Sequence, residues 1–309
     1  MRAVVVSRFG GPEVLELRDE PEPRPGPGEL LVGTEAIGVN FRDVYEREGA
    51  YGGAPPFVAG VEGAGRVETG ERVAWVAAPG SYAERVVVEA EKAVPVPDTV
   101  PSGVAAAVLL QGITAQYLTT ATYPVAKGEP VVVHAAAGGV GRLLVQFAKA
   151  AGARVIATTS GGDKDAVARS VGADDVIGYD GFADRVRELT GGDGAAAVYD
   201  GIGRATFRES LAALRRRGTL VLYGSASGDP GPFEPAELRH GSLTLVRPAL
   251  HDYTMTREEL LERAGDVLRR VADGSLQVHV GASYALEDAR RAHEDLQSRR
   301  TTGKLLLQP

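Results

Sequence analysis

Cysteine is absent from this chain of 309 residues. Disulfides, thiolate zinc sites, iron–sulfur clusters and cysteine nucleophiles are therefore excluded. An excess of positive charge is also absent, because 34 lysines and arginines stand against 41 acidic residues, for a net charge of −7. Such a chain lacks the broad positive field that holds nucleic acid or an anionic membrane. We therefore expect no nucleic-acid partner.

Long apolar runs are missing as well. The longest, residues 104–110, is far shorter than the roughly 20 residues of a membrane span. The first residues lead into turn residues, without the apolar core of a signal peptide. These features predict no membrane association and a cytoplasmic location. Glycine, by contrast, is abundant: 40 of 309 residues, nearly twice the usual share of roughly 7%, which indicates many tight turns or close backbone approaches.

Two patterns divide the chain. Up to about Pro97, short β-branched runs lie between clusters of proline and glycine, which is typical of a β-rich domain. From Glu129 onward strands alternate with helices, which predicts a parallel sheet covered on both faces. The predicted strands there are 131–133, 154–158, 175–177, 196–199 and 219–223. The predicted helices are 102–120, 140–151, 163–171, 182–189, 206–214, 257–272 and 286–298, before a last strand at 304–307.

A glycine loop, AAAGGVG at 135–141, follows the first of these parallel strands. Strand, loop, helix and second strand fit into residues 131–158, the roughly 30-residue unit that makes such a loop informative. Gly138 has no side chain that would hold a pyrophosphate away from the backbone, and Gly141 lets helix and strand pack closely. Ala136 replaces the first glycine of the usual pattern, so a tight turn without a ligand is the alternative. The context favours a dinucleotide cofactor.

The end of the second parallel strand indicates which cofactor. Sites selective for NAD usually place an acidic residue there to hold the ribose, but residues 158–160 read Thr-Thr-Ser. Lys164 then begins a helix, and its cation suits the 2′-phosphate of NADPH. Asp163 could instead reach a ribose, so NADH is the alternative.

Together these residues resemble the zinc-free medium-chain dehydrogenase/reductase superfamily, in particular its quinone oxidoreductase (zeta-crystallin-like) branch. The resemblance covers nearly the whole chain, and its landmarks are FGGPEV at 9–14, GVNFRDVY at 38–45, REGAY at 47–51, GVEGAG at 60–65, HAAAGGVG at 134–141, YDGIG at 199–203, YGSASG at 223–228 and TGKLL at 302–306. It implies an α/β protein of two domains with the active site in the cleft between them. Residues 1–112 and 248–309 would form a discontinuous GroES-like β-barrel catalytic domain. Residues 113–247 would form a Rossmann-like, doubly wound NADPH-binding domain.

The resemblance also implies that no catalytic zinc is bound. Zinc-dependent relatives carry a cysteine where Asn40 lies and a histidine where Val61 lies. The five histidines form no pair at helical spacing that might make a substitute site. One departure from the family is a shortened segment at Glu68 and Thr69, where relatives have a longer stretch.

Site residues carried over from the family fall into two groups. Those on the acceptor side, taken as catalytic, are Asn40, Asp43, Tyr45 and Tyr51. Those that would bind the cofactor are Thr114, Gly138, Gly139, Val140, Gly141, Ser160, Lys164, Tyr179, Tyr223, Ser225, Arg247 and Arg299. Simpler roles are open for several: turn capping for Asn40 and Asp43, loop packing for Tyr45 and Tyr51, and plain surface exposure for Arg299.

The expected activity follows from the family's chemistry. The nicotinamide carries the electrons, and the protein supplies orientation and hydrogen bonds. A quinone or an activated enone needs no metal, because its own conjugation accepts the charge. The resemblance therefore implies an NADPH:quinone oxidoreductase, with transfer either as hydride or as single electrons. The alternatives are an NADPH-dependent enone or enoyl-thioester reductase and a low-turnover, crystallin-like NADPH-binding protein. It also implies a homodimer, formed through edge strands such as 243–247.

Overall fold

The computed structural model of the protein describes residues 1–298 and 300–309. The chain forms two compact units. The first consists of Met1–Ile113 together with Thr254–Pro309, and the second is the continuous segment Thr114–Tyr253.

The regular elements follow in chain order. The strands are β1 (Arg2–Val6), β2 (Leu15–Asp19), β3 (Glu29–Val39), β4 (Phe57–Val58), β5 (Gly63–Val67), β6 (Arg72–Trp75), β7 (Arg85–Glu89), β8 (Val94–Pro95), β9 (Pro130–Val133), β10 (Arg154–Thr158), β11 (Asp175–Ile177), β12 (Ala195–Asp200), β13 (Leu214–Leu222), β14 (Thr244–Val246), β15 (Val280–Ala285) and β16 (Lys304–Gln308). The α-helices are α1 (Phe41–Arg47), α2 (Ser102–Tyr117), α3 (Gly139–Ala150), α4 (Asp163–Ser170), α5 (Phe182–Leu189), α6 (Phe207–Ala212), α7 (Arg257–Ala272) and α8 (Ala289–Gln297).

The first unit is built on β-sheets that join both ends of the chain. Its larger sheet has the order β15-β16-β3-β5-β6-β8, and β7 also pairs with β3. The long strand β3 is central, because it pairs antiparallel with β5, β7 and β16 along its 11 residues. Leu305 of the last strand lies opposite Val39. A smaller sheet has the order β2-β1-β4. This is the GroES-like arrangement that the resemblance implies.

The shortened segment at Glu68 and Thr69 closes as a tight β-hairpin between β5 and β6. Arg66 pairs with Arg72, and the amide of Gly70 donates to the carbonyl of Val67 at 2.9 Å. Gly70 has a φ of +92°, a conformation that glycine adopts without a Cβ penalty. The missing residues therefore shorten a loop and leave the paired strands intact.

The second unit is a six-stranded parallel sheet with the order β11-β10-β9-β12-β13-β14. Every neighbouring pair in it is parallel, and Val132, Ile156 and Val198 are among the buried residues of its core. Numbered along the chain from β9, this order is 3-2-1-4-5-6, the doubly wound order of dinucleotide-binding sheets. The predicted Rossmann-like sheet is confirmed.

The predicted end of the helix before β13 is wrong. The sequence pattern places a helix over 206–214, but α6 ends at Ala212 and β13 begins at Leu214. The amide of Ala195 donates to the carbonyl of Ala213 at 2.9 Å, and Leu214 pairs with Ala195 across the sheet. Long-range strand pairing therefore takes Leu214 away from the helix that its apolar spacing favours.

Helix α2 and the π-helical turn that follows it, Ser102–Thr122, are long and apolar enough to pass a membrane-span test by length and composition. In the structure 78% of its most apolar stretch is buried inside the protein. Burial of this kind is typical of a core helix, and one such helix is weak support for a membrane span.

Candidate functional site

The carboxyl ends of the parallel strands collect most of the residues expected to bind a cofactor. The glycine loop follows β9, Ser160 follows β10, and Tyr179 follows β11. On the other side, Tyr223 follows β13 and Arg247 follows β14. Ligands of doubly wound sheets lie at this edge, near the switch in strand order between the first and fourth strands.

The glycine loop is shaped by contacts of its own backbone. Gly138 is the N-cap of α3, and its amide donates to the carbonyl of Ala135 at 2.8 Å. A side chain at Gly138 would have its Cβ 3.1 Å from that same oxygen, and no other described residue beyond its chain neighbours and its own helix would lie within 4 Å. A side chain at Gly141 would collide with the Ala135 backbone, so this glycine serves the packing of helix on loop, where we expected helix on strand.

This geometry fits a pyrophosphate. The first amides of α3, at Gly139, Val140 and Gly141, have no acceptor within the helix, and the helix dipole places partial positive charge at the same end. The loop is tied to neighbouring strand ends, since the amide of Ala136 donates to the carbonyl of Thr158 at 3.2 Å. The amide of Ala135 donates to the Tyr179 hydroxyl at 3.0 Å.

A buried polar chain lies beneath the loop, and it was missed by the sequence reasoning. His134 Nδ1 lies 2.8 Å from Thr158 Oγ1, and its Nε2 lies 2.9 Å from Ser210 Oγ. Ser210 in turn donates to Asp200 Oδ2 at 3.0 Å. Burial lowers the pKa of His134, with Asp200 opposing this in part. A neutral His134 therefore links the ends of β9, β10 and β12.

The end of β10 carries the two residues expected at a 2′-phosphate. Lys164 Nζ donates to Ser160 Oγ at 3.1 Å; Ser160 is exposed and Lys164 is half-buried. The sequence reasoning missed Asp165, whose carboxylate accepts a hydrogen bond from Thr159 at the same strand end. The Lys164 ammonium group and the Ser160 hydroxyl thus lie together at this strand end, while the Asp165 carboxylate is bonded to Thr159.

On the far side of the switch point, three side chains meet. Arg247 Nη2 donates to Ser225 Oγ at 3.0 Å and lies 3.3 Å from Asp229 Oδ1, and Ser225 Oγ donates to Asp229 Oδ1 at 2.9 Å. The structure therefore brings Ser225 and Arg247 together, and adds Asp229, which the sequence did not point to.

The remaining cofactor residues are more scattered. Tyr223 packs beside Gly201, where any Cβ would meet the tyrosine ring. Thr114 is buried near the start of the second unit. Arg299 lies outside the described residues.

The positions that hold zinc ligands in related enzymes are filled by a different kind of cluster. Lys304 Nζ lies 2.6 Å from Glu62 Oε2 and 2.7 Å from Asn40 Oδ1, and Asn40 Nδ2 donates to Glu62 Oε2 at 3.0 Å. All three side chains are buried, as is Val61. A buried ammonium group at this point repels a metal cation. Within residues 1–298 and 300–309, no group of three or more His, Cys, Asp or Glu side chains could hold a metal ion.

Asp43 also lies inside the first unit. Its Oδ2 accepts from the Asn40 amide at 2.8 Å and from the Tyr82 hydroxyl at 2.9 Å. This is the capping arrangement at the start of α1. Burial raises the pKa of the Asp43 carboxyl to about 7, against the lowering effect of those two donors. Asn40 and Asp43 are thus held by protein groups, and contact with an acceptor stays a prediction for both.

The two tyrosines expected on the acceptor side lie together. The ring centroids of Tyr45 and Tyr51 are 6.4 Å apart, and Phe41 lies 6.3 Å from Tyr45. The Arg42 guanidinium lies 5.0 Å from the Tyr51 ring centre. Tyr51 is 56% exposed. The structure therefore presents an aromatic surface with one adjacent cation, which we call the α1 aromatic surface (Phe41, Arg42, Tyr45 and Tyr51).

A doubly wound parallel sheet with a glycine loop after its first strand, joined to a GroES-like unit, defines a dinucleotide-dependent oxidoreductase of the dehydrogenase type. Comparison with known proteins narrows this class. A family profile described as "Alcohol dehydrogenase GroES-like domain" matches residues 26–98, and one described as "Zinc-binding dehydrogenase" matches residues 139–265.

Individual relatives match over the full length. A quinone oxidoreductase of Pseudomonas aeruginosa is 41% identical, with 100% of this chain and 99% of the relative covered. A 2-haloacrylate reductase of a Burkholderia species is 38% identical over 99% and 98%. The solved structure of a mycobacterial protein complexed with NADPH is 46% identical, covers 100% of both chains and has a TM-score of 0.98. This chain belongs to the zinc-free medium-chain dehydrogenase/reductase family, in its quinone oxidoreductase branch.

Proposed function

We propose that this protein is an NADPH-dependent quinone oxidoreductase that reduces a small quinone without a metal ion. The observation that carries the proposal is the glycine-loop cradle at the carboxyl edge of the parallel sheet, with Ser160 and Lys164 beside it. It occurs in a chain 41% identical to a quinone oxidoreductase along its whole length. A relative that is 46% identical binds NADPH.

The cradle suits the cofactor in charge and in space. The amides of Gly139 to Gly141 would hold the pyrophosphate, and Ser160 with Lys164 would hold the 2′-phosphate. Tyr179, Tyr223, Ser225 and Arg247 would line the same strand ends. When bound, NADPH supplies the two electrons, and the surrounding residues orient it.

On the acceptor side we assign contact with the quinone to Tyr45 and Tyr51. Flat aromatic rings stack favourably on one another in offset geometry, and the α1 aromatic surface offers such rings beside the Arg42 cation. Asn40 and Asp43 support this surface from inside, because they cap the helix that carries Tyr45. A quinone needs no Lewis acid, since its conjugated carbonyls take up the charge.

Steady-state oxidation of NADPH tests the proposal. Purified protein is assayed with benzoquinones and naphthoquinones, and separately with 2-haloacrylates, alkenals and enoyl thioesters. We expect turnover with the quinones at kcat/KM values above those of every alkene. Lack of quinone turnover by folded, NADPH-binding protein contradicts the proposal, and lack of turnover with the alkenes as well leaves the low-turnover binding protein.

A second candidate is an NADPH-dependent reductase of activated alkenes. It is favoured by the 38% identical relative described as a 2-haloacrylate reductase. The same family chemistry serves both, because an enone and a quinone accept electrons into a conjugated carbonyl. Higher kcat/KM with a haloacrylate or an enone than with any quinone selects this candidate.

We also propose a cytoplasmic homodimer. Strand β14 pairs on one side with β13 and forms the end of the parallel sheet among the described residues. An edge strand presents unpaired backbone groups that a second copy can satisfy. Analytical ultracentrifugation should give twice the chain mass, and a monomer at micromolar concentration contradicts this part.

A further inference from the structure

Four buried side chains in the first unit are bonded in series. Arg47 Nη1 lies 3.1 Å from His293 Nδ1, and His293 Nε2 lies 3.0 Å from the Tyr82 hydroxyl. The Tyr82 hydroxyl lies 2.9 Å from Asp43 Oδ2. Each of these residues is at most 3% exposed. The series connects both ends of α1 with α8 and with the segment between β6 and β7.

The direction of the hydrogen bonds follows from Arg47, which can only donate. His293 Nδ1 must therefore accept, and the single N–H of the neutral ring is on Nε2. Burial and the nearby Arg47 lower the pKa of His293 to about 3, so the ring is neutral at ordinary pH. Nε2 then donates to Tyr82, and the Tyr82 hydroxyl donates to Asp43 Oδ2. We call this directed series the Arg47–Asp43 chain.

The direction determines where Asp43 can hold a proton. Oδ2 already accepts from Tyr82 and from the Asn40 amide. Oδ1 is buried and has no hydrogen-bond partner among the described residues. A proton on this carboxyl therefore belongs on Oδ1, because a proton on Oδ2 would oppose two donors.

The charge of Asp43 is balanced by several neighbours. The charged or titratable groups that face Asp43 and its partner Tyr82 are Arg42 and Arg47 of α1, Lys304 of β16, His293 of α8, and Glu62 just before β5. Lys304 and Arg42 favour the carboxylate, whereas burial opposes it more strongly and raises the pKa of Asp43 to about 7.

One face of α1 is buried in the first unit, and the other carries the α1 aromatic surface. Asp43 and Arg47 lie four residues apart on the buried face, and Arg47 Nε also donates to the Gly10 carbonyl at 3.0 Å. Phe41 and Tyr45, likewise four residues apart, lie together within the α1 aromatic surface. Whatever holds the buried face therefore sets the position of the aromatic one.

We propose that the Arg47–Asp43 chain is a positioning device for the acceptor site, in which Tyr82 and His293 set the place of the α1 aromatic surface and the uncharged form of Asp43 holds it. This rests on the assignment of Tyr45 and Tyr51 to the acceptor in the proposed function. Tyr82 and His293 are positioning residues, because they act on the acceptor through α1. Ionised Asp43 places an uncompensated negative charge inside the unit, so α1 is held less well in that form.

The sign of the pH dependence follows from the raised pKa. The ordinary pKa of the group is 3.8, so the packed helix binds the proton more tightly than a solvated Asp43 does. Protonation therefore stabilises the packed position below about pH 4. This stabilisation decreases as the pH rises from about 4 to about 7 and is lost above it.

Two isosteric variants and one matched control test the device. Asp43→Asn keeps an acceptor at Oδ2 and places an N–H where protonated Oδ1 would carry its hydrogen, so it imitates the uncharged form. Tyr82→Phe removes the hydroxyl that links His293 to Asp43. Tyr284→Phe is the control. It removes the 2.8 Å hydrogen bond from another tyrosine hydroxyl to Asp295 of α8 and leaves the Arg47–Asp43 chain intact.

The measurements are the quinone and NADPH KM values from pH 5.5 to 8.5, and the hydrogen-exchange protection of residues 41–47 corrected for intrinsic rates. In the native protein we expect quinone KM to rise at least threefold from pH 5.5 to about pH 7 and to level off above it, while NADPH KM stays constant. Asp43→Asn should remove the transition and keep the low-pH KM and protection throughout. Tyr82→Phe should raise quinone KM about fivefold with kcat changed less than twofold, and Tyr284→Phe should change neither.

A transition that persists in Asp43→Asn overturns the proposal. So does a change in Tyr284→Phe as large as that in Tyr82→Phe. The proposed function fails separately, when folded native protein reduces no quinone. Hydrogen exchange then still decides: protection of 41–47 that does not vary with pH in the native protein, or varies equally in Asp43→Asn, refutes the device.

Discussion

Replacing Lys304 by methionine removes the cation from an ion pair that is fully enclosed. Lys304 Nζ lies 2.6 Å from Glu62 Oε2, and the two side chains are 1% and 0% exposed. Glu62 keeps its bonds to the Leu110 amide, at 2.7 Å, and to Asn40 Nδ2. Its charge, however, loses the only opposite charge bonded to it among the described residues. Breaking a buried pair in this way costs about 3–5 kcal/mol.

Trp75 is a fluorescent probe for the unfolding of the unit that contains Lys304. It is the chain's single tryptophan, and it is buried in β6 of the sheet that contains β16. Urea unfolding followed by its fluorescence should give a free energy of unfolding lowered by about 3–5 kcal/mol in Lys304→Met. Lys92→Met is the matched control, because Lys92 pairs with Glu89 at 2.8 Å on the surface. Lys92→Met should lower the free energy of unfolding by less than about 1 kcal/mol.

The double variant Glu62→Gln/Lys304→Met separates charge burial from packing. Neutralising Glu62 removes the unpaired charge, so the double variant should be more stable than Lys304→Met alone by roughly 2 kcal/mol. The reasoning would be refuted if the losses of unfolding free energy in the two single variants simply added in the double variant. It would also be refuted if Lys304→Met lowered the free energy of unfolding by less than about 1 kcal/mol. Solvent would then reach this pair, and the position would not repel a metal as argued above.

Three further predictions concern the cofactor and the metal. Lys164→Ala should weaken NADPH binding roughly tenfold, the lower end of the range for a charge-assisted bond, because water reaches the bond between Lys164 and Ser160. NADH binding should be unaffected, and Lys127→Ala, at an exposed lysine, is the control in the same titrations. Equal losses for both cofactors would contradict the 2′-phosphate assignment. Gly138→Val should weaken NADPH binding at least tenfold while the protein stays folded by circular dichroism, because its methyl groups would occupy the pyrophosphate side of the loop. Normal binding would make the loop a structural turn only. Exhaustive chelation should leave quinone turnover unchanged, and activity restored only by added zinc would disprove metal independence.

Much of the second unit could be read from the sequence because its determinants are local. The strand, glycine loop and helix lie within about 30 consecutive residues, and their hydrophobic periods differ clearly. Helix α5 was predicted with its observed bounds, Phe182–Leu189. The limit of local reasoning is Leu214, whose apolar spacing continues a helix while strand pairing places it in β13.

The acceptor side could be predicted only as a set of residue types. Asn40 and Asp43 were expected to face an acceptor, with capping as the alternative. In the structure Asp43 accepts from the Asn40 amide and the Asn40 side chain bonds Glu62, and contact with an acceptor stays a prediction. Neither side chain's partner was visible in the sequence. Tyr82 is 39 residues from Asp43, and Lys304 is 264 residues from Asn40. No local pattern reports which distant side chain will meet a buried polar atom.

The sequence by itself determined the parallel sheet covered on both faces, its glycine loop and the absence of thiolate chemistry, because each depends on short-range periodicity or on composition. Only the tertiary structure decided that Lys304 would neutralise Glu62, and that His293 would join Arg47 to Tyr82. Both depend on the C-terminal segment returning to the N-terminal one, where β16 pairs with β3. The physical reason is burial: a polar group removed from water must find a partner wherever the fold brings one.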